Sequence, residues 1–514
     1  MQETREQVGK TTLVMTGVII LSKLVGFIRE KIIAFYFGAG MESDVYTLAF
    51  SVLSVMVLLF SACVTSTFIP IYSKTLTKDG QKAADDYANN ILHLFTILAV
   101  VVAFLGVVFA PNIIKIVMAD TSDSYKFALT VKSLQIMFPS LVFSLISSVY
   151  ASVLNARYKF IAPQLIGFAI SVCTVISVVL FADKIGIYAL AYGTFFSMLM
   201  QILILVPFLK REYHYYPKLD MRDEKLKRTF RLAVPILIGT TVNELNFMIG
   251  RYLASGLVEG SVSALRYAYN LITLVMGVFI IPTTTIQFTR LSSFAVNEKI
   301  ENMKNSIKQS IELIALMILP IISVSVIMGE DIIHFVYGGG KFESVAVDLT
   351  KPVFLFYIVG LLGFGFREFL NRSFYAIQDT KTPMVVSGFA IAVNIALSLI
   401  LVEFMGAGGI ALAASISAVL GSLIMLFLLR KKIGKMGMKG TVIQLTLIAL
   451  SAVICAFICL TVKSYLSETH HFLRLIIAAA AGLGVYAIAL IVFKVKEMKN
   501  LISALTKRIK KQRV

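Results

Sequence analysis

The sequence predicts an all-α integral membrane protein of about fourteen transmembrane helices, built as two parallel six-helix lobes plus two C-terminal helices. Three observations carry that expectation. The 514-residue chain is 58% hydrophobic and only 15% charged, with a mean hydropathy of +0.85. Its apolar runs are long, unpunctuated by turn residues and free of the alternation of a membrane β-barrel; lipid forces each segment to satisfy its own backbone polar groups, which leaves helices. Finally, one pattern of residues returns about 220 positions later.

A hydrocarbon core about 30 Å thick takes roughly 20 helical residues to cross. Runs of that length lie near 12–37, 45–72, 90–118, 127–154, 160–182, 185–209, 229–256, 263–289, 307–335, 350–376, 383–404, 407–430, 441–465 and 470–495. The first run meets no small-residue cleavage site, so it reads as a retained span and not a signal peptide. The second, fourth, sixth, eighth, tenth and twelfth end in connections rich in Lys and Arg, after Tyr72, Leu154, Leu209, Phe288, Ala376 and Leu429. The intervening connections are short, acidic or neutral. Roughly thirty basic residues thus fall on one side and roughly five on the other, which by the positive-inside rule puts both termini in the cytoplasm. Much of the net charge of +19 is therefore topological and calls for no nucleic acid.

The repeat sets the lobes. Pro163, Gly167-Phe168-Ala169-Ile170, Gly186-Ile187 and Ala189-Leu190-Ala191 lead to a basic end at Lys210; Pro383, Gly388-Phe389-Ala390-Ile391 and Gly409-Ile410-Ala411-Leu412-Ala413 lead to Arg430-Lys431-Lys432. Six helices per unit make the repeat parallel. The expected division is an N-terminal lobe over 1–211, a basic linker over 212–228, a C-terminal lobe over 229–432, two further helices over 441–495 and a basic tail over 496–514. Cys455 and Cys459, at i, i+4, read as small packing residues.

Charge inside the runs is confined to a few of them. The first holds Lys23, Arg29, Glu30 and Lys31, each costing at least ~2.5 kcal/mol at mid-depth, so these groups should face protein or water. Lys23 and Glu30 lie seven apart on nearly one helix face, with Arg29 beside them. The seventh run carries Asn243, Glu244, Asn246 and Arg251, and the eighth carries Arg266 and Asn270. The tenth carries Arg367, Glu368, Asn371 and Arg372, where Glu368 can reach Arg372 one turn on. The set implies a hydrated cavity lined by segments 1, 7, 8 and 10, with cations in excess; structural ion pairs or snorkelling to an interface are the alternative for any single residue. Arginine's planar fork matches phosphate oxygens, so the cavity suits an anionic, phosphate-bearing substrate. The histidines are scattered, and His470-His471 read as a solvated outer turn, which argues against an acid–base or metal cluster.

The run Ser22-Lys23-Leu24-Val25-Gly26-Phe27-Ile28-Arg29-Glu30, continuing to Phe37-Gly38-Ala39-Gly40-Met41-Glu42-Ser43-Asp44, resembles the opening of the MurJ/MviN lipid II flippases. Tyr337 with Gly340-Lys341-Phe342, and Phe374-Tyr375-Ala376-Ile377-Gln378-Asp379-Thr380-Lys381-Thr382-Pro383, resemble two further elements of that family. The resemblance implies the multidrug/oligosaccharidyl-lipid/polysaccharide exporter fold, with segments 13 and 14 forming a groove for a polyprenyl tail. It also implies a non-enzymatic flippase of the bacterial cytoplasmic membrane, moving an undecaprenyl-diphosphate-linked peptidoglycan precursor outward by alternating access. Another polyprenyl-diphosphate glycan, of capsule or O-antigen type, is the alternative substrate, and a drug/cation antiporter a more distant one. The diphosphate would be held by Lys23, Arg29, Glu30, Arg251, Arg266, Asn270, Arg367 and Arg372, with gating or structural roles for Gly26, Gly38, Gly40, Asp44, Glu244, Glu368 and Asp379. Val57 and Asn270 stand where the resemblance leads one to look for arginines. No catalytic residue, metal or cofactor is implied; the drive would be the membrane potential or a coupling ion, Na⁺ or H⁺. The expected partners are the lipid-linked anionic glycan and membrane lipids, with the protein working as a monomer.

Overall fold

A computed structural model describes residues 2–500, with side chains throughout except at 2–16, 19, 20, 234–236 and 238–243. Residues 501–514 of the expected basic tail, and the side chain of Asn243, lie outside the described residues. The elements in order are α1 (Gln2–Phe37), α2 (Met41–Val108), α3 (Ala110–Val117), α4 (Ser124–Met137), α5 (Ser140–Ala156), α6 (Ile161–Gln164), α7 (Ile166–Ile185), α8 (Tyr188–Leu209), α9 (Glu224–Ser255) and α10 (Ser261–Val275). A π-helical turn (Met276–Ile280) follows, then α11 (Ile281–Val296), α12 (Ile300–Tyr337), α13 (Ser344–Val359), α14 (Leu361–Ala376), α15 (Lys381–Ile433), α16 (Lys439–Tyr465) and α17 (His471–Val492). Among the described residues there is no β-strand, only an isolated bridge between Gly339 and Phe342.

The chain is all-α, and each of the fourteen expected segments is largely helical, those over 90–118, 127–154, 160–182, 263–289 and 350–376 running across a break or a π-helical turn. Among the described residues nine helices are long and apolar enough to cross a bilayer, or ten when α13 and α14, bent by 44°, are taken as one span. A count of fourteen is compatible with how the helices group. α2 contains two expected segments and turns at Gly80, whose φ of 84° is open to glycine; α15 contains two and turns at Gly406, φ 54°. Side chains of α1 and α9 are described only in part. Helix starts follow local chemistry: Asp123 caps α4 by accepting the N–H groups of Tyr125 (2.9 Å) and Lys126 (3.0 Å), and Asp223 caps α9 by accepting that of Lys225 (2.8 Å).

Contacts divide the chain into two compact units, Met1–Ser263 with Gly339–Glu343, and Ala264–Gly338 with Ser344–Val514. In the first, α2 packs along α5 and α9, and Phe68 stacks between Tyr72 and Tyr87 at 5.2 and 5.3 Å. Small residues let α7 and α8 approach: Ser177 donates to the Ala189 carbonyl at 2.7 Å, and a Cβ at Gly193 would come within 3.0 Å of Ser177 Cβ. Polar groups around the Gly80 turn of α2 and just beyond the ends of α5 and α8 join in one network. Arg157 donates to Tyr72 Oη (2.7 Å) and Gln81 Oε1 (2.6 Å) and pairs with Asp85 and Glu212, while Asn90 exchanges two 2.8 Å bonds with the backbone of Asp220. The segment between α8 and α9 is thereby docked on α2.

In the second unit α12 is the central element, packed by α13, α16 and α17. Ile448, Ala452, Cys455 and Cys459 of α16 meet Tyr486 and Leu490 of α17 and Leu316 of α12. Tyr486 donates its hydroxyl to the Leu316 carbonyl at 2.9 Å, and both cysteines are fully buried against Gly482. They are packing residues, as their spacing suggested.

Candidate functional site

The charged residues of α1 lie beside its contact with α7. Gly26 sits over Ser171, where a Cβ would come to 3.8 Å, and Ser22 reaches the Gln164 carbonyl at 3.5 Å. Lys23 is exposed, Glu30 is 9% exposed, and Arg29 lies between, its Nη2 2.7 Å from Glu30 Oε1. The pair leaves most of the guanidinium fork uncommitted: Arg29 Nε is buried with no hydrogen-bond partner among the described residues. A buried donor without an acceptor is costly to maintain. On α9, Glu244 and Arg251 are both half-buried.

The second unit carries its charges on α10 and α14. The Arg266 guanidinium lies 4.6 Å from the Tyr267 ring centre, and Tyr267 is itself buried against Tyr337, whose hydroxyl donates to the Tyr267 carbonyl at 3.0 Å. Asn270, one turn beyond, is half-buried. On α14 the expected i, i+4 pair forms, with Arg372 Nε 2.9 Å from Glu368 Oε1, and Arg372 also donates to Thr285 of α11 at 2.9 Å. Arg367 points elsewhere on α14, its Cδ 3.7 Å from where a Cβ on Gly421 of α15 would lie. Asn371 Oδ1 is buried and has no hydrogen-bond partner among the described residues.

The residues singled out for gating or structure divide into two kinds. Gly38 has φ 60° and a Cβ there would overlap the Lys341 carbonyl oxygen, so glycine is required both by conformation and by space. The segment from Gly339 to Glu343 is laid over the end of α1, with Lys341 N–H donating to the Phe35 carbonyl at 2.8 Å and Lys341 Nζ 3.1 Å from Glu42 Oε2. Asp44 is 1% exposed and accepts from Gly260 N–H (2.8 Å), Ser263 N–H (2.7 Å) and Ser263 Oγ (2.8 Å), at the N-terminus of α10. Asp379 accepts the Thr382 N–H at 3.0 Å and pairs with Lys432, tying both ends of α15. By contrast Gly40 has φ −144° and open space around its Cβ position, so nothing there demands glycine.

One cluster goes beyond the sequence reading. His470 is exposed, but His471, 38% exposed at its side chain, is engaged: its Nδ1 lies 2.7 Å from Asp331 Oδ1, its ring stacks on His334 at 4.3 Å, and Arg474 and Lys463 converge on the same Asp331. Asp331 is fully buried, at the end of α12, and joins it to α16 and α17. The available signal was Glu330-Asp331 near the end of an apolar run, which the reading passed over.

Helices long and apolar enough to cross a bilayer, with arginine and lysine retained inside several of them, define a polytopic membrane protein. A family model described as lipid II flippase MurJ matches residues 33–479, and the chain belongs to that family. It is 28% identical over 429 residues, 82% of this chain and 83% of the relative, to the probable lipid II flippase MurJ of Buchnera aphidicola subsp. Baizongia pistaciae. It is 26% identical over 452 residues, 87% of each chain, to that of Borreliella burgdorferi. Its fold matches a solved lipid II flippase MurJ in an inward closed conformation, with a TM-score of 0.80 at 23% identity, covering 95% of this chain and 100% of that one. It also matches an inward-facing multidrug resistance transporter of the MATE family, with a TM-score of 0.69 at 14% identity, covering 82% and 98%. The protein is thus a multi-pass membrane protein of a flippase family, not of a catalytic one.

Proposed function

We propose that this chain is a flippase that moves lipid II, the undecaprenyl-diphosphate-linked peptidoglycan precursor, from the inner to the outer leaflet of a bacterial cytoplasmic membrane. The observation that carries this reading is the family match over residues 33–479. The chemistry of the site agrees with it. A diphosphate needs donors in fixed geometry, and Arg29 holds one edge of its fork on Glu30 while Nε stays unclaimed. Lys23 adds a point charge two turns away on the same helix. Arg266, Arg367 and Arg372, with Asn270, offer a second set of donors, and Arg251 a further one. Transport proceeds by alternating access, with the repeat-related lobes over 1–211 and 229–432 exposing the headgroup first to the cytoplasm and then outside while the tail remains in lipid. Both termini lie in the cytoplasm, the working unit is a monomer, and no cofactor takes part.

The test is flipping of fluorescent lipid II in proteoliposomes. A hydrogen bond to a charged group is worth about 1.5–3 kcal/mol, so Arg29→Ala should slow transport by roughly ten- to a hundredfold while the variant still purifies as a folded monomer. Wild-type rates in that variant would overturn the role of Arg29. A capsule-type polyprenyl-diphosphate glycan run in competition decides the headgroup: faster flipping of that lipid, together with failure to rescue cells depleted of their lipid II flippase, would replace lipid II as the substrate.

A further inference from the structure

We infer that the cleft between α2 and α9 at the basic edge of the first unit binds the phosphate group of an inner-leaflet lipid, at a place separate from the cations of α1. The cleft encloses about 470 Å³. Lys74 and Lys78 stand one turn apart on α2; Lys225 and Arg228 face them from α9, and Lys225 is engaged by Asp79 at 3.0 Å. Lys74, Lys78 and Arg228 have no ion-pair partner among the described residues, so four cations share one carboxylate. Cations placed only for topology would spread over a solvated face, and self-repulsion would favour that spread. Here two helices bring them together across a cleft.

The other end of the cleft is apolar. Pro70, Ile71 and Leu232 line it, each one to two turns from the basic residues, and they fall at the ends of the segments expected to cross the bilayer over 45–72 and 229–256. A soluble phosphate would use the basic half alone. A lipid uses both, its chain running along Pro70 and Leu232 and its phosphate lying among Lys74, Lys78 and Arg228. The positive-inside pattern places this edge at the cytoplasmic leaflet, where anionic headgroups are available. The inference does not depend on which headgroup the protein transports.

The chain contains no tryptophan, so Leu232→Trp in the full-length protein is a single reporter inside the cleft. In vesicles, brominated phosphatidylglycerol should quench it several-fold more effectively than brominated phosphatidylcholine at equal mole fraction. Adding Lys74→Gln, Lys78→Gln and Arg228→Gln should bring the two lipids within about twofold of each other; these positions are exposed, and size exclusion with circular dichroism confirms the fold. Should the triple variant misfold, Lys78→Gln with Arg228→Gln serves in its place, with a partial loss of preference expected. Unlabelled undecaprenyl diphosphate then identifies the source. Relief of quenching at stoichiometric amounts makes the transported lipid class the occupant; no relief leaves the resident phospholipid as the occupant. Equal quenching by the two lipids in the parent protein, or relief by millimolar inorganic phosphate alone, overturns the lipid site.

Discussion

Asp44 illustrates what a single buried carboxylate can hold. It receives two backbone N–H groups and a hydroxyl from Gly260 and Ser263, more than two hundred residues away, and is 1% exposed. The sequence motif marked Asp44, but nothing in it linked that carboxylate to its partners, because the link is made by tertiary packing. Asp44→Ala would strand those donors out of water at about 1–3 kcal/mol each, so thermal unfolding in detergent should begin several degrees lower, with Asp44→Asn intermediate. An unchanged midpoint would mean that water replaces the carboxylate. The Arg29–Glu30 pair was also illegible, since adjacent helical residues diverge by about 100° and only a long side chain curling around the helix can join them. Asp379 gives a pH signature. Burial pushes its carboxyl up, but hydrogen bonds from Lys432 and Thr382 outweigh that and hold it at about 2, against an ordinary 3.8. A depressed carboxylate pKa contributes stability that is fully present above the unfolded value and is lost as pH falls through the folded one. Stability should therefore decline between about pH 4 and pH 2, and Asp379→Asn should flatten that part of the acid-unfolding curve; an identical slope in the variant would rule the pairing out.

At the scale of elements, hydropathy located long helices because length and apolarity suffice for them, while joins and bends followed from backbone details that hydropathy does not register. Gly80 and Gly406 turn the chain within what is otherwise continuous helix, and Gly360 marks the 44° bend between α13 and α14. How α16 and α17 are fastened was not legible either. Asp331 accepts from Arg474 Nε at 2.9 Å and from His471, with Lys463 at 3.9 Å, so a carboxylate at the end of α12 gathers groups from both C-terminal helices. Removing one partner of a buried ion pair costs about 3–5 kcal/mol, because the remaining charge is left uncompensated, whereas replacing both by apolar groups is often neutral. Asp331→Leu should therefore lower the unfolding midpoint strongly, and Asp331→Leu with Arg474→Met should recover a substantial part of the loss. Differential scanning fluorimetry of the two variants measures this; an additive double variant would show that Asp331 and Arg474 are not coupled.

At the scale of the whole molecule, the energetics of transport follow from charge. Cations on α1, α10 and α14 were legible because an ionisable group in an apolar run is rare and expensive; which of them reach the ligand was not, because burial and partner choice depend on packing. If Lys23, Arg29 and Arg367 keep their depth in the bilayer through a cycle, the proposed diphosphate crosses without carrying protein charge. Two negative charges moving outward across an inside-negative potential then gain about 2.3 kcal/mol each per 100 mV. Proteoliposomes with a potassium gradient and valinomycin allow the potential to be set. The ratio of lipid II in the outer to the inner leaflet should rise as the interior is made more negative, by on the order of a thousandfold per 100 mV at equilibrium if both charges cross uncompensated. If one cation, from the protein or from solution, travels with each diphosphate, the slope halves. If two do, it vanishes, and a Na⁺ or H⁺ gradient must supply the drive. A flat response with no ion dependence would leave the cycle without either source, and the diphosphate would have to be moved by consumption of lipid II on the far side alone.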